Sequence, residues 1–278
     1  MKRMQGRRRS MKEKMNKIPV FYACDDNFVK YTMVSLQSMM DHASKEAQYE
    51  IHVLHTNISE EMQKKMHAME NANFSVQFDH VTEYLHSIQE KLPLRDYYSK
   101  TTYFRLFIAE MFPEIDKAIY IDSDTVVLGD IAQLYAYDLG DAYVGACREQ
   151  VMIQEEIYGT YVEKVLGVER DNYFNAGMLV INCEQFRKNH VLKQFMELLP
   201  MYNFVVTQDE DYLNLICHNK VCWLPQKWNV EVFGQIPCRE EEICVLHYIM
   251  VSKPWHYNDC RLQEYFCLLY TSDAADEL

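Results

Sequence analysis

A-I-Y-I-D-S-D-T-V-V-L-G-D-I, residues 118–131, is an apolar run closed by two aspartates one residue apart. A short apolar run bounded by polar turn residues reads as a buried strand. If the strand runs on through the acids, its two-residue side-chain period points Asp122 and Asp124 the same way. Carboxylates that close raise each other's pKa and destabilise a fold unless a cation lies between them. The pair therefore points to a divalent metal, or to a chemistry that needs twin carboxylates. Spacing alone does not carry this reading. The chain holds 17 aspartates in 278 residues, so chance supplies such a pair, and a second lies at Asp209 and Asp211. Context has to decide.

The segments before this run supply that context. I-P-V-F-Y-A-C (18–24) reads as a buried first strand followed by the polar turn D-D-N. A helix follows through Y-T-M-V-S-L-Q-S-M-M, with Met33, Leu36, Gln37 and Met40 near one face. E-I-H-V-L-H-T (50–56) is a second strand, and S-E-E-M-Q-K-K-M opens a helix capped by Ser59. F-S-V-Q-F-D (74–79) alternates as a third strand, and T-Y-F-R-L-F-I-A-E-M-F (102–112) is a helix stopped by Pro113. Strands alternating with helices predict an α/β fold around a mostly parallel sheet. Ligands of such sheets sit at the carboxyl ends of the strands, and both D-D-N and D-S-D fall at strand ends.

The second half reads less regularly. Strands are expected at 142–147, 176–183, 221–225 and 243–248, and helices at 184–199, ended by Pro200, and at 208–217. The absence of a linker, repeat or low-complexity stretch predicts one shared core, and the length suits one large domain.

A net charge of −13 argues against a nucleic-acid partner. Residues 1–17 run the other way, with eight Lys or Arg against one Glu. No apolar segment follows them as in a signal peptide, so they read as a basic extension that could touch anionic lipid or as a misassigned upstream start. Nine cysteines without a C-x-x-C, mostly in apolar stretches, suit reduced thiols and a cytoplasmic location. No run reaches the roughly 18 apolar residues of a membrane span. The segment 267–278 resembles translated sequencing-adaptor read-through, which predicts that the natural chain is cut near Phe266 and that its own C-terminus is missing.

Eight glycines form neither a G-x-G-x-x-G nor a P-loop. A nucleotide diphosphate would need its charge met otherwise, and a Mg²⁺ or Mn²⁺ ion on Asp122 and Asp124 meets that need. His247, ending I-C-V-L-H, and Lys253 in S-K-P-W could complete such a site, the lysine as a point charge. The acids of Q-D-E-D (208–211) suit the first turn of a helix, where they oppose its dipole. They could equally face a sugar.

Six ordered segments resemble the retaining glycosyltransferases of family 8, which include glycogenin and bacterial lipopolysaccharide galactosyl- and glucosyltransferases. They are F-Y-A-C-D-D-N-F (21–28), T-Y-F-R-L (102–106), Y-I-D-S-D-T (120–125), Y-F-N-A-G-M-L-V-I-N (173–182), Q-D-E-D-Y-L-N (208–214) and H-Y-x4-K-P-W (247–255). The resemblance implies a GT-A fold over 18–266 that takes a UDP-sugar donor and Mn²⁺ (or Mg²⁺). It implies transfer of a glucose or galactose to a saccharide or glycoconjugate acceptor, at the cytoplasmic face of a membrane or free in the cytoplasm. Asp122, Asp124 and His247 are then the metal ligands. Ala23, Asp25, Asn27 and Ser123 hold the nucleotide, and Lys253 the diphosphate. Arg105, Asn175, Ala176 and Asp209 surround the donor sugar, and Glu210 lies where a nucleophile would be sought. Acceptor recognition falls near 148–166. Met250 departs from the family, many of whose members carry glycine there, which puts the loop geometry in question. Two other readings stand beside this one: a non-catalytic UDP-sugar-binding relative, and a haloacid-dehalogenase-type phosphatase, whose D-x-D-x-[TV] loop D-S-D-T-V also resembles.

Overall fold

The computed structural model of the chain describes residues 17–86, 100–204, 206–257 and 259–272. Most of the expected basic extension, residues 1–16, and residues 273–278, within the segment expected to be read-through, lie outside them. β1 (Lys17–Ala23), α1 (Val29–His42), β2 (Gln48–His55), α2 (Glu60–His67) and β3 (Phe74–His80) alternate as the sequence predicts. β4 (Lys117–Ile121), β5 (Thr125–Val127), β6 (Val144–Arg148) and β7 (Phe174–Asn182) follow. Then come α3 (Cys183–Lys188), α4 (Val191–Leu198), α5 (Asp209–Cys217), β8 (Val221–Trp223), β9 (Val230–Glu231), β10 (Val245–His247) and α6 (Gln263–Ser272).

The main sheet has the order β3-β2-β1-β4-β7-β6-β8. Only β7 runs against the rest, pairing antiparallel with β4 and β6. Both faces of the sheet are covered, which is why β1 and β7 are almost continuously apolar. The period of two sorts the core. Phe21, Tyr120, Leu179 and Ile181 pack on one face, and Val20, Ile119, Ile121, Met178 and Val180 on the other. Both layers draw on the two halves of the chain, so there is one core. The chain leaves β1 for β2 and β3 on one side and returns to β4 on the other. The carboxyl ends of β1 and β4 thus form the point where strand order reverses, and where ligands of such sheets bind.

A second sheet, β5-β10-β9, sits beyond that point. His247 pairs with Thr125 across the antiparallel β10–β5 ladder. Tyr248 N donates to Asp124 O at 2.9 Å, so two distant segments are locked together at the strand end. α1 fastens the same turn from below. Its buried Thr32, Ser35 and Ser38, three residues apart, meet Ser123 Oγ (2.8 Å), Thr125 Oγ1 (2.8 Å) and Val127 N (2.8 Å), two residues apart. A helical repeat of about three is matched to a strand repeat of two.

Several local expectations are corrected. Asp122 and Asp124 lie just past β4, in a turn, and converge through that turn and not through strand alternation. α1 buries Val29, Tyr31, Val34, Leu36 and Met39, while Met33, Gln37 and Met40 are only half-buried. Its hydroxyl row occupies the side facing β5. Ser59 precedes α2 without capping it, because its hydroxyl donates to Asp26 Oδ1 at 2.8 Å. The 102–112 segment is a 3-10 turn, Lys100–Leu106, followed by a short helix, Ile108–Met111. In that turn Arg105 Nε reaches Thr102 O at 2.9 Å. The helix expected over 184–199 breaks between α3 and α4, where Asn189 Nδ2 takes Gln185 O (2.8 Å) and His190 is left-handed, φ 53°. None of the nine cysteines is joined in a disulfide. No helix among the described residues is long and apolar enough to cross a membrane.

Candidate active site

One cavity opens at the carboxyl ends of β1 and β4. Its lining includes Ala23, Cys24, Phe28, Met250 and Lys253, the group Asp122, Ser123, Asp124 and His247, and Arg105, Asn175, Asp209 and Glu210. Residues separated by more than 200 positions in sequence are thus gathered as the sequence predicts. Asp25 and Asn27 do not line it. Asp25 Oδ1 instead accepts from the Asn27 and Phe28 backbone N–H groups (3.0 and 3.1 Å), shaping the entry to α1. Ala176 contributes backbone only, its carbonyl taking Arg105 Nη1 and its N–H bonding Glu210 Oε2 at 2.7 Å.

The central three side chains each keep one atom free to converge. Asp122 Oδ1 is taken by Tyr120 Oη (2.7 Å) and Arg105 Nη2 (3.0 Å), leaving Oδ2. Asp124 Oδ2 is taken by Lys253 Nζ at 2.5 Å, leaving Oδ1. His247 Nδ1 meets Asn229 Oδ1 at 3.1 Å, leaving Nε2. Nε2 lies 3.9 Å from Asp122 Oδ2 and 3.3 Å from Asp124 Oδ1. Ligands held by an octahedral Mg²⁺-sized ion lie about 3 Å apart in cis and about 4.2 Å in trans, given bonds of about 2.1 Å. The two distances from Nε2 lie between those limits, all three atoms lie within 4.8 Å of one another, and two carboxylates with an imidazole suit Mn²⁺ or Mg²⁺. Gly177 supplies an independent test of the space. A Cβ there would fall 2.2 Å from His247 Cε1 and 2.7 Å from Asp122 Oδ2. The backbone must be bare at that point for the donor atoms to face one another.

Electrostatics divide the acids. Burial pushes the Asp124 carboxyl up, but Lys253 and His247 overcome it and hold the group well below the usual carboxylate range. Burial opposes the charge on Arg105, yet Asp122 and Asp209 on either side keep it firmly protonated. Its Nε lies 3.0 Å from Asp209 Oδ2. Burial pushes Asp209 up to about 7 despite that neighbour. Burial, then the Glu149 charge, raises Glu210 well above its usual range, and its Oε1 has no partner among the described residues. Asp211 is structural, accepting from Tyr173 Oη (2.8 Å) and Tyr161 Oη (2.9 Å). The Q-D-E-D acids are therefore not solvated dipole partners. All three are buried, behind the left-handed Gln208 (φ 54°) that turns the chain into α5.

Sequence reading missed four participants. Gly177 could have been found, since a glycine inside a buried strand often marks a close approach. Glu149, Asn229 and Glu231 gave no signal, because they reach the site from loops and short strands. Val151, Met152 and Tyr158 line the cavity beside Glu149, within the 148–166 stretch expected to meet the acceptor.

The family model of glycosyl transferase family 8 matches residues 19–259. A putative glycosyltransferase of Haemophilus influenzae is 28% identical over 247 residues, covering 85% of this chain and 72% of the relative. A lipopolysaccharide 1,3-galactosyltransferase of Salmonella typhimurium is 24% identical over 258 residues, covering 87% and 74%. Among solved structures, the galactosyltransferase LgtC in complex with donor and acceptor sugar analogs superposes with a TM-score of 0.75. It shares 26% identity and covers 91% of this chain and 95% of LgtC. The bifunctional glycosyltransferase WbbM gives a TM-score of 0.79 at 25% identity, with 92% of this chain and 50% of WbbM covered. These likenesses span all six segments, replace the phosphatase alternative and make the α/β architecture a GT-A fold. The chain belongs to glycosyl transferase family 8 and is a glycosyltransferase.

Proposed function

We propose that the protein moves a glucose or galactose from a UDP-sugar to a saccharide or glycoconjugate acceptor, with retention and with a divalent metal, Mn²⁺ or Mg²⁺. One observation carries the reading. Asp122 Oδ2, Asp124 Oδ1 and His247 Nε2 converge in the wall of one cavity, which Ala23, Lys253, Arg105, Asn175 and Asp209 also line. The relatives named for lipopolysaccharide galactosyl- and glucosyl-transfer support a cell-surface glycan as acceptor.

A divalent cation on those three atoms would offset charge on the departing diphosphate. The chain's own residues do the rest. Lys253 stands beside Asp124 as a second positive charge for phosphate oxygens. Asn175, Asp209 and Arg105 orient the sugar, with the guanidinium pinned between two carboxylates. Tyr158, Val151 and Met152 offer an apolar wall to the acceptor. Burial, and then the Glu149 charge, raise Glu210 well above its usual range, so the fold disfavours its carboxylate form. A carboxyl whose ionised form is disfavoured is a poor nucleophile. That favours attack by the acceptor hydroxyl from the leaving-group face, with a phosphate oxygen taking its proton.

UDP release from UDP-glucose and UDP-galactose, with and without Mn²⁺ and saccharide acceptors, tests the reading. Metal-dependent release is expected from one of them, and Asp124→Asn should remove turnover, at least about 100-fold, while leaving the melting curve in place. Metal-independent release, or full turnover by Asp124→Asn, would sink the metal role. UDP binding without turnover would support a non-catalytic relative.

A further inference from the structure

A single backbone amide settles the orientation of three side chains, Asn175, Asn229 and His247, the first and last of which line the cavity. Gly177 N lies 2.8 Å from Asn175 Oδ1, and a backbone N–H can only donate. That fixes which end of the Asn175 amide is oxygen. The Asn229 atom facing the same oxygen at 2.8 Å must then be the donor, Nδ2. Asn229 consequently turns its own oxygen to His247 Nδ1, 3.1 Å away. Because that oxygen only accepts, Nδ1 carries the proton, and the neutral ring keeps its lone pair on Nε2. At the far end Asn175 Nδ2 donates to Glu149 Oε2 at 2.5 Å. Glu149, Asn175, Asn229 and His247 are all buried, Asn229 completely, so water does not compete for these bonds.

We propose that Asn229 is a positioning residue that serves two parts of the site through one amide. Its oxygen holds His247 in the tautomer that presents Nε2 to a divalent cation. Its NH₂ group, bonded to Asn175, sets the amide that faces the donor sugar. Asn229 itself lies outside the cavity wall and touches neither ligand. Its backbone is held independently, since Asn229 O accepts from Gln226 Nε2 at 2.9 Å. The inference rests on the metal and donor assignments proposed above.

Two substitutions separate the two bonds. Asn229→Leu, similar in volume, removes both. Asn229→Asp keeps an acceptor for His247 Nδ1–H but offers Asn175 Oδ1 only another oxygen. Calorimetry with Mn²⁺ alone should show Asn229→Leu binding about 10- to 100-fold more weakly than the natural chain, the usual effect of losing a group that orients a ligating histidine. Asn229→Asp should bind Mn²⁺ within about threefold of it. The Asp variant should instead raise KM for the UDP-sugar while leaving Kd for UDP, which lacks the sugar, unchanged. Equal Mn²⁺ affinity in the natural chain and the Leu variant would overturn the proposal. So would equal losses in both variants, the mark of a merely structural amide. If Asn229→Leu does not fold, the His247 tautomer in the natural chain decides, read from two-bond ¹H–¹⁵N correlations. A proton on Nδ1 is expected, and a proton on Nε2 alone would refute it. A natural chain that binds no Mn²⁺ would refute the functional reading, while the tautomer measurement would still judge this one.

Discussion

Two side chains carry the chemistry-specific questions at the scale of the residue. Met250 stands where many family members have glycine, and its φ of 59° shows why glycine suits the position. An L side chain in the left-handed region costs about 1–2 kcal/mol, whereas glycine loses about 0.5–1 kcal/mol through the freedom of its unfolded chain. The first term is the larger, so Met250→Gly should leave stability unchanged or raise it by up to about 1 kcal/mol in urea unfolding. Met250→Val, β-branched, should lower it. A loss with glycine would show that the thioether packs usefully at the cavity mouth. Glu210 poses the mechanistic question. Its Oε2 accepts from Ala176 N, and burial, then the nearby Glu149 charge, raise its carboxyl well above the usual range. Glutamine has the same shape and no charge, so Glu210→Gln should keep kcat within about 10-fold under front-face attack. A loss of about 1,000-fold or more, with the fold intact, would mark Glu210 as a covalent nucleophile.

At the scale of the element, β7 is the part on which the site depends most. It is the single antiparallel strand of the main sheet, and it brings Asn175, Ala176 and Gly177 across the end of β4. Asp122 N donates to Gly177 O at 2.7 Å, so strand and turn are joined at the point where the acids emerge. Gly177→Ala places a methyl carbon against His247 and Asp122. Mn²⁺ affinity should fall at least 10-fold and the melting temperature should drop, because the neighbours that must give way are themselves packed. Unchanged Mn²⁺ binding would show that the three donor atoms do not share an ion. The strands of the parallel half were legible because periodicity and turn residues are local signals. The paired acids and His247 were legible once the strand ends aligned, whereas Arg105 came only through the family resemblance. What stayed hidden depends on tertiary contact. T-x-x-S-x-x-S in α1 looks like an ordinary polar face until β5 lies against it. The break at His190 and the 3-10 turn around Arg105 are set by packing and side-chain bonds, which override helical propensity. Asn229 and Glu231 sit on segments too short to show a period.

For the whole molecule, the unusual feature is how much acid is kept out of water near the cavity. Glu149, Asp209, Glu210, Asp211 and Glu231 are all buried, in a chain whose net charge is already −13. Burial raises Glu231 well above the usual range, and the Glu149 charge and hydrogen bond, then Glu210, add to it. The Gln150 backbone N–H, 3.0 Å from Oε2, opposes this but does not prevail. The linkage has a definite sign. An unfolded glutamate titrates near about 4.3, so above that pH the folded chain holds a proton that the unfolded chain releases. Stability contributed by this group is complete below about pH 4.3 and is lost as pH rises toward the folded value, at about 1.4 kcal/mol per pH unit. Asp209 adds a slope of the same sign up to about pH 7, and Glu210 another. Glu231→Gln copies the protonated shape without the proton. Urea unfolding of the metal-free protein between pH 5 and 8 should therefore give a flatter profile for the variant. Its advantage over the natural chain should widen as pH rises above the unfolded value, by at most about 1.4 kcal/mol per unit, until the folded carboxyl ionises. Parallel profiles would mean that Glu231 is ionised in the fold. The acids would then be balanced by charges other than those that face them here, and the cavity would be far more negative than its hydrogen bonds describe.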